Sequence, residues 1–386
     1  MSTQKIRFTT MFPRIENIHL VKDVGMIPYA MKKYYNFDSS IVIYKNKEYE
    51  YFNTDVSNLK KDFFPFKKFN SIINCFCYLL KNSKKIDVLH IYHIGQKTTW
   101  TSIFTYFLMN KKGLIYLHMD ENTDIELNDI FGLQEKSLKK AIKKIFLTKF
   151  IFTKKNRSRI LFGLQNKAGI DDLKGNFPFD NVEYISNAYE DIVNDNLKYK
   201  KENIILFVGR VGNKQKRTDI LLEGFKIASN KIPNWKLRIV GPIEESFKGY
   251  ITNFFKENPK LIERVEFVGP VYDRKKLKQE YCKAKIFCLT SDYESFGLVT
   301  VEALANGCTI VSSNITASRE IINDCEFGNL FECGNVEDFA SKLINTCKNS
   351  KLFDYVQNNC KHYINNNFSY EKSLRNLDAW IKKHIK

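Results

Sequence analysis

Short apolar runs alternate along this chain with longer amphipathic stretches, and several of the runs stop at a glycine, a histidine or a polar pair. Such runs read as strands of parallel sheets, because a strand covered on both faces has no polar side to alternate with. In the first half the pattern predicts strands over 6–11, 40–44, 86–93 and 114–118, with Lys22 to Pro28 leading into a helix through Lys33. In the second half it predicts strands over 203–208, 235–240, 265–268, 286–289 and 309–311. Leu221, Leu222, Phe225 and Ile227 mark a helix after the first of these, and Leu298, Val301 and Ala305 mark another that stops at Asn306-Gly307. Strand and helix in regular succession describe an α/β chain built on open parallel sheets. No internal repeat goes beyond that alternation.

Length then sets the number of domains. At 386 residues the chain exceeds one typical domain, and two domains of roughly 180 residues each are expected. The polar stretch from Glu190 to Glu202 is the linker, which gives domains over 1–190 and 200–365. The composition is globular, 44% hydrophobic with 31 Phe and 20 Tyr. Nine scattered Cys without a C-x-x-C pair read as reduced thiols of a cytoplasmic protein. The first residues lack the apolar core of a signal peptide, and no apolar run reaches membrane-spanning length.

The most informative stretch runs from Ser291 to Gly307. It joins a buried strand to a helix and the helix to a further strand, and in such units the loop at the strand's carboxyl end is the usual ligand site. Gly297 permits close backbone approach where the helix starts, and the free amides of Leu298 and Val299 attract an anion there. Glu294 lies before this cradle and Glu302 after it. An acid on each side of a phosphate cradle suits a ligand with hydroxyls flanking a diphosphate, as in a sugar nucleotide.

The E-x7-E pattern of Glu294 and Glu302, with Phe296-Gly297-Leu298-Val299 inside it, resembles the donor-site signature of family-4 glycosyltransferases of the GT-B fold. The match covers 287–322 in register, with Gly307 and Glu320 also in place. The resemblance implies two Rossmann-like domains facing a cleft, with a C-terminal helix over 366–386 crossing back to the N-terminal domain. It implies that Gly209-Arg210 and Lys216 form a basic clamp on the donor diphosphate, with Lys214 and Arg217 close enough to blur the choice of Lys. An Arg fork and a mobile Lys charge suit that task physically. The resemblance also places Val271 and Tyr272 beside the nucleobase, Gly25 opposite the diphosphate as a backbone donor, and Glu294 and Glu302 on the sugar and ribose hydroxyls. His118, at the end of a parallel strand, corresponds by location to a histidine near the donor sugar, and His93 is the other candidate. The chain departs from its relatives at Ser186-Asn187-Ala188, before the linker, and at Thr309 and near Thr316 and Ala317, where the departures bear on sugar preference.

Charge adds a second theme. The formal net charge of +18 attracts polyanions or an anionic membrane. Phe and Lys interleave around Lys60, Lys61, Lys67 and Lys68, either as a membrane interface or as a solvated turn whose rings belong to the core. Between Glu135 and Lys149 a predicted amphipathic helix carries Lys139, Lys140, Lys143 and Lys144, and each lysine near anionic lipid contributes about 1 kcal/mol. A solvated helix face is the alternative there.

Together these readings predict a retaining, metal-independent glycosyltransferase, peripheral on the inner face of the cell membrane. It would move a hexose-type sugar from a nucleotide sugar, with UDP favoured, to a glycan or lipid-linked oligosaccharide of a capsule or lipopolysaccharide. No cofactor or metal is expected, since no D-x-D pair stands in an apolar-flanked loop to hold Mg²⁺. A basic nucleic-acid-binding protein is the alternative of another class, carried by charge alone without a recognisable motif, so no nucleic-acid partner is expected. A sugar-nucleotide epimerase or phosphorylase would keep the fold and change the reaction.

Overall fold

The computed structural model describes residues 5–67, 70–93, 97–119, 149, 153–165, 170, 180–191 and 199–385. The chain forms two compact units, Met1–Asn187 with Tyr370–Lys386, and Ala188–Ser369.

The first unit holds a sheet of seven strands: β1 (Arg7–Met11), β2 (Asp38–Ile43), β3 (Lys60–Phe63), β4 (Val88–Tyr92), β5 (Leu114–Met119), β6 (Ile160–Leu164) and β7 (Val182–Tyr184). All pairings are parallel, in the order β3-β2-β1-β4-β5-β6-β7. Phe8, Ile41, Leu89, Ile115 and Phe162 are buried, which is why these strands appear as unbroken apolar runs. Helix α1 (Asp23–Tyr35) runs through Pro28 and past the predicted end at Lys33, to Asn36 in the left-handed region at φ 62°. Helix α2 (Ser71–Asn82) starts where the Asn70 side chain accepts from the amides of Ile72 and Ile73, and it packs against α3 (Lys97–Met109). The Lys60–Phe63 stretch, read from the sequence as either a membrane interface or a solvated turn, forms an edge strand with Ser40 opposite Lys60. Its solvated edge position explains the polar sequence. Lys68, Lys139, Lys140, Lys143 and Lys144 lie outside the described residues.

The second unit holds β8 (Glu202–Val208), β9 (Lys236–Val240), β10 (Val265–Gly269), β11 (Ala284–Leu289), β12 (Thr309–Ser313) and β13 (Gly328–Phe331). They pair in parallel in the order β10-β9-β8-β11-β12-β13. Alternate residues feed two cores: Ile205, Phe207, Ile286 and Cys288 on one face, Leu206, Phe287 and Leu289 on the other. Around the sheet lie α4 (Thr218–Ser229), α5 (Arg274–Lys283), α6 (Leu298–Ala305), α7 (Val336–Lys348) and α8 (Ser350–Asn367). The strand order reverses direction between β8 and β11, so α4 and α6, which follow these two strands, pack on opposite faces of the sheet, and the loops at the two carboxyl ends lie at the topological switch point. Among the described residues no helix is long and apolar enough to cross a membrane.

Candidate functional site

At the switch point of the second unit, the loop after β8 is stitched to the loop after β11. The amide of Asp292 donates to Gln215 O at 2.9 Å, Gln215 Nε2 to Tyr293 O at 2.8 Å, and Thr290 Oγ1 to Lys216 O at 2.9 Å. These ties bring two predicted residues into contact. Lys216 Nζ lies 2.5 Å from Glu294 Oε1, and Ser291 Oγ donates to the same oxygen at 2.6 Å. The Lys216 and Glu294 side chains are only 15% and 8% exposed, so little water screens the pair.

Directly after Glu294 the chain passes Gly297 at φ +86° and enters α6. A Cβ at Gly297 would meet nothing nearer than 3.6 Å, so the left-handed backbone, not crowding, is what favours glycine there. Thr300 N turns back onto Gly297 O at 2.8 Å, while the amides of Leu298 and Val299 lie in the first turn, where no intrahelical acceptor exists. Gly209 is crowded for a different reason. A Cβ on neighbouring Gly241 would stand 1.8 Å from Gly209 O, so the ends of β8 and β9 approach too closely for a side chain.

About one turn along α6, Glu302 receives Tyr281 Oη at 2.9 Å and Arg274 Nη1 at 3.4 Å. Burial first, and the Glu302 charge second, raise the Tyr281 phenol well above its ordinary range, so it stays a donor. Glu302, Arg274, Tyr281, Tyr189, Leu277 and Asn306 line a small open pocket within this unit. Tyr272 is 75% exposed in the loop after β10 and Val271 packs partly against the core, two and three residues before Arg274.

The clamp resolves into distinct parts. Arg210 is exposed, with no hydrogen bond or ion pair among the described residues. Arg217 is committed to Asp219 at 2.9 Å and to Asp292 at 3.2 Å, and Lys214 is exposed. Lys216 is therefore the lysine that faces Glu294.

Phe296 does not stand at this site as a ligand contact. It is 4% exposed and packs edge-on against Phe368 in the core, where an apolar ring gains most from leaving water.

In the first unit two expectations are corrected. Gly25 lies inside α1, and its amide donates to Lys22 O at 3.0 Å, so it is not a free backbone donor. Its role is close packing, since a Cβ there would meet Leu20 O at 2.1 Å. His118 stands at the end of β5 as expected, one residue before its last, but it is fully buried rather than open to a ligand. Its Nδ1 meets Tyr116 Oη at 2.7 Å and its Nε2 meets Gln165 Nε2 at 2.8 Å. Burial, with the His93 charge adding, lowers its pKa to about 3, so the ring is neutral. His93 follows β4 with φ 58°, and its carbonyl accepts from Thr99 Oγ1 at 2.6 Å.

Sequence reasoning missed the groups around His118. Gln165 Nε2 also reaches Asn187 Oδ1 at 2.7 Å and Asp23 Oδ2 at 3.3 Å, and Tyr370 Oη donates to Asp23 Oδ1 at 2.9 Å. These five residues span 348 positions of sequence, so no local motif could have joined them. Arg274 was hidden in the Arg274-Lys275-Lys276 run, and only the capping Asp273 before it signals that this run starts a helix.

Comparison with known proteins follows the same outline. Residues 188–366 match the family model described as Glycosyl transferases group 1. The capsular polysaccharide biosynthesis glycosyltransferase CapM of Staphylococcus aureus is 24% identical over 389 residues, covering 94% of this chain and 93% of its own. A solved glycosyltransferase from Rickettsia africae ESF-5 shares the fold at a TM-score of 0.72 and 17% identity, with both chains fully covered. Anabaena Alr3699/HepE, solved in complex with UDP and glucose, does so at a TM-score of 0.70 and 14% identity, covering 98% of this chain and 100% of its own. The two parallel-sheet units thus share their fold with GT-B glycosyltransferase structures.

Proposed function

We propose that this chain, whose residues 188–366 form a glycosyl transferases group 1 domain, moves a hexose-type sugar from a nucleoside diphosphate sugar to a glycan or lipid-linked oligosaccharide, with retention and without a metal. The observation that carries the reading is the contact of Lys216 with Glu294, directly before the unpaired amides that start α6. A cation, an anion and a helix start within one loop pair suit two parts of such a donor: the cation and the helix start its diphosphate, the anion its sugar hydroxyls.

In this reading the diphosphate draws Lys216 and Arg210, and the Leu298 and Val299 amides take the remaining charge. These groups stabilise the negative charge that grows on the leaving nucleoside diphosphate as the glycosidic bond breaks. That is the task a divalent cation performs elsewhere, which is why the proposal needs none. Glu294, released by Lys216, accepts from the sugar hydroxyls and orients the ring. Glu302 accepts from the ribose, with Tyr281 and Arg274 holding its carboxylate in place. The acceptor's proton passes to the leaving phosphate on the face where the new bond forms. His118 can meet a sugar only if Gln165 gives up its Nε2.

UDP is the favoured nucleotide, supported by the UDP and glucose in the Anabaena neighbour. A surface-polysaccharide acceptor is supported by the capsular role of the Staphylococcus aureus relative. The net charge of +18 and the exposed Lys60, Lys61 and Lys67 support peripheral residence on an anionic membrane. The test is transfer of radiolabelled sugar from purified nucleotide sugars to lipid-linked or glycan acceptors. Glu294→Ala, Arg210→Ala and Lys216→Ala should each lower turnover by about 10²–10³. Unchanged turnover in all three overturns the assignment.

A further inference from the structure

One surface of the first unit combines exposed apolar side chains with uncompensated positive charge. Helix α2 buries Asn74, Cys75, Tyr78 and Leu79. On its opposite side Ile73, Phe76 and Leu80 recur at i, i+3 and i+7, a single stripe, and each is at least 41% exposed. A stripe of this kind normally covers a core, and here none of the described elements covers it.

The stripe continues beyond the helix. Phe66, 47% exposed, sits in the turn tied to α2 by its amide to Asn74 Oδ1 at 3.0 Å. At the other end Asn110 Nδ2 donates to Ser83 O at 2.8 Å, which places the end of α3, with Leu108 53% exposed, beside the end of α2.

Charge identifies the occupant. Between Asp62 and Asp120 the sequence holds eight lysines and one acid, Asp87, which Arg7 neutralises at 2.7 Å. Lys67 stands at the Phe66 end; Lys81, Lys84 and Lys85 follow Leu80, and Lys111 and Lys112 follow Leu108. All six are exposed and none is ion-paired with a described residue. An apolar stripe rimmed by ammonium groups on flexible stems matches the layered chemistry of an anionic bilayer surface, acyl chains beneath phosphates. It is poorly matched to a second copy of this chain, which would bring the same positive rim against itself.

We propose that the exposed face of α2, extended by Phe66 and Leu108, inserts into the headgroup layer of an anionic lipid membrane while the surrounding lysines engage lipid phosphates. This deepens the proposed function by assigning the surface through which the enzyme meets a lipid-borne acceptor, and it involves none of the donor-site residues.

The experiment is co-sedimentation of the full chain with vesicles of phosphatidylcholine alone and of phosphatidylcholine mixed with phosphatidylglycerol. UDP affinity and the melting temperature are read on the same samples. Wild type should bind the mixed vesicles, bind the neutral ones far less, and release in high salt. The triple variant Ile73→Ser/Phe76→Ser/Leu80→Ser and the charge variant Lys81→Glu/Lys84→Glu/Lys85→Glu should each weaken binding at least tenfold, with UDP affinity unchanged. Phe76→Ser and Leu80→Ser alone, with smaller losses, keep the test decisive if the triple variant does not fold. Wild type that ignores anionic vesicles overturns the proposal, as does a folded stripe variant that binds like wild type. A stripe variant that loses self-association in ultracentrifugation but keeps vesicle binding overturns it in favour of a dimer interface. Loss of UDP binding in wild type would instead count against the proposed function.

Discussion

Lys216 Nζ stands 2.5 Å from Glu294 Oε1, on a carboxylate that Ser291 also holds. The two groups assigned to neighbouring parts of the donor, diphosphate and sugar, neutralise each other in this contact. Each has therefore a partner to leave before it can meet the ligand, and the pair keeps either charge from being stranded in a poorly hydrated loop.

This arrangement makes Glu294→Gln a discriminating variant. The amide keeps the shape and frees Lys216 for phosphate, so free UDP should bind as tightly as to wild type or up to about tenfold more tightly. Sugar transfer should fall by about 10² or more, because the ring loses its anchor. Calorimetry with UDP and turnover with the full donor read the two effects separately. Weaker UDP binding would show that Glu294 holds the nucleotide rather than the sugar.

Glu302 depends on Tyr281 and Arg274 for its position. Tyr281→Phe removes a buried hydrogen bond and should lower stability by about 1–3 kcal/mol, measured by thermal melting. Glu302→Gln should weaken UDP about tenfold, because a neutral amide accepts less strongly from ribose hydroxyls than a carboxylate. An unchanged UDP affinity in Glu302→Gln would separate this residue from the nucleotide.

Phe296 lies within the resembled motif yet packs in the core. Phe296→Ala should destabilise the fold by about 3–5 kcal/mol, whereas Phe296→Leu should retain most of the stability. UDP affinity of the folded Leu variant should equal that of wild type. A large loss of affinity without loss of stability would return the ring to the ligand.

His118 makes the fold sensitive to acid. Its pKa falls from 6.5 to about 3 on folding, because burial disfavours the charged ring. Between those values the unfolded chain binds a proton that the folded chain does not, so stability rises with pH there and is lost as pH falls. Above pH 6.5 the ring is neutral in both states and contributes no pH dependence. Buried His90 shifts in the same direction, its pKa lowered by burial. Melting curves across this window should show His118→Asn less stable than wild type at neutral pH but with a shallower acid decline. An equal slope in both proteins would show that His118 titrates freely.

Much of the second unit was legible in the sequence, because its signals are local. A β-strand buried on both faces must be apolar throughout, so β8 and β11 appear as the runs ending at Val208 and Leu289. A helix entered through a left-handed backbone favours glycine, so Gly297 marks the start of α6. The edge strand β3 was not legible, since a strand with one solvated edge carries the lysines of a loop. The place of His118 was not legible either. A histidine at a strand end has the same letter whether it faces solvent or Gln165, and Gln165 lies 47 residues away.

What the sequence determined by itself was the succession of β8, α4, β9, β10, β11, α6 and β12 and the residue types of the donor loop, because periodicity and backbone preference act over a few residues. Only the tertiary structure decided that Lys216, rather than Lys214 or Arg217, meets Glu294, and that Gly25 and Phe296 serve packing. Those outcomes depend on which distant groups share a buried space. Burial makes each such pairing energetically decisive, and no local pattern records it.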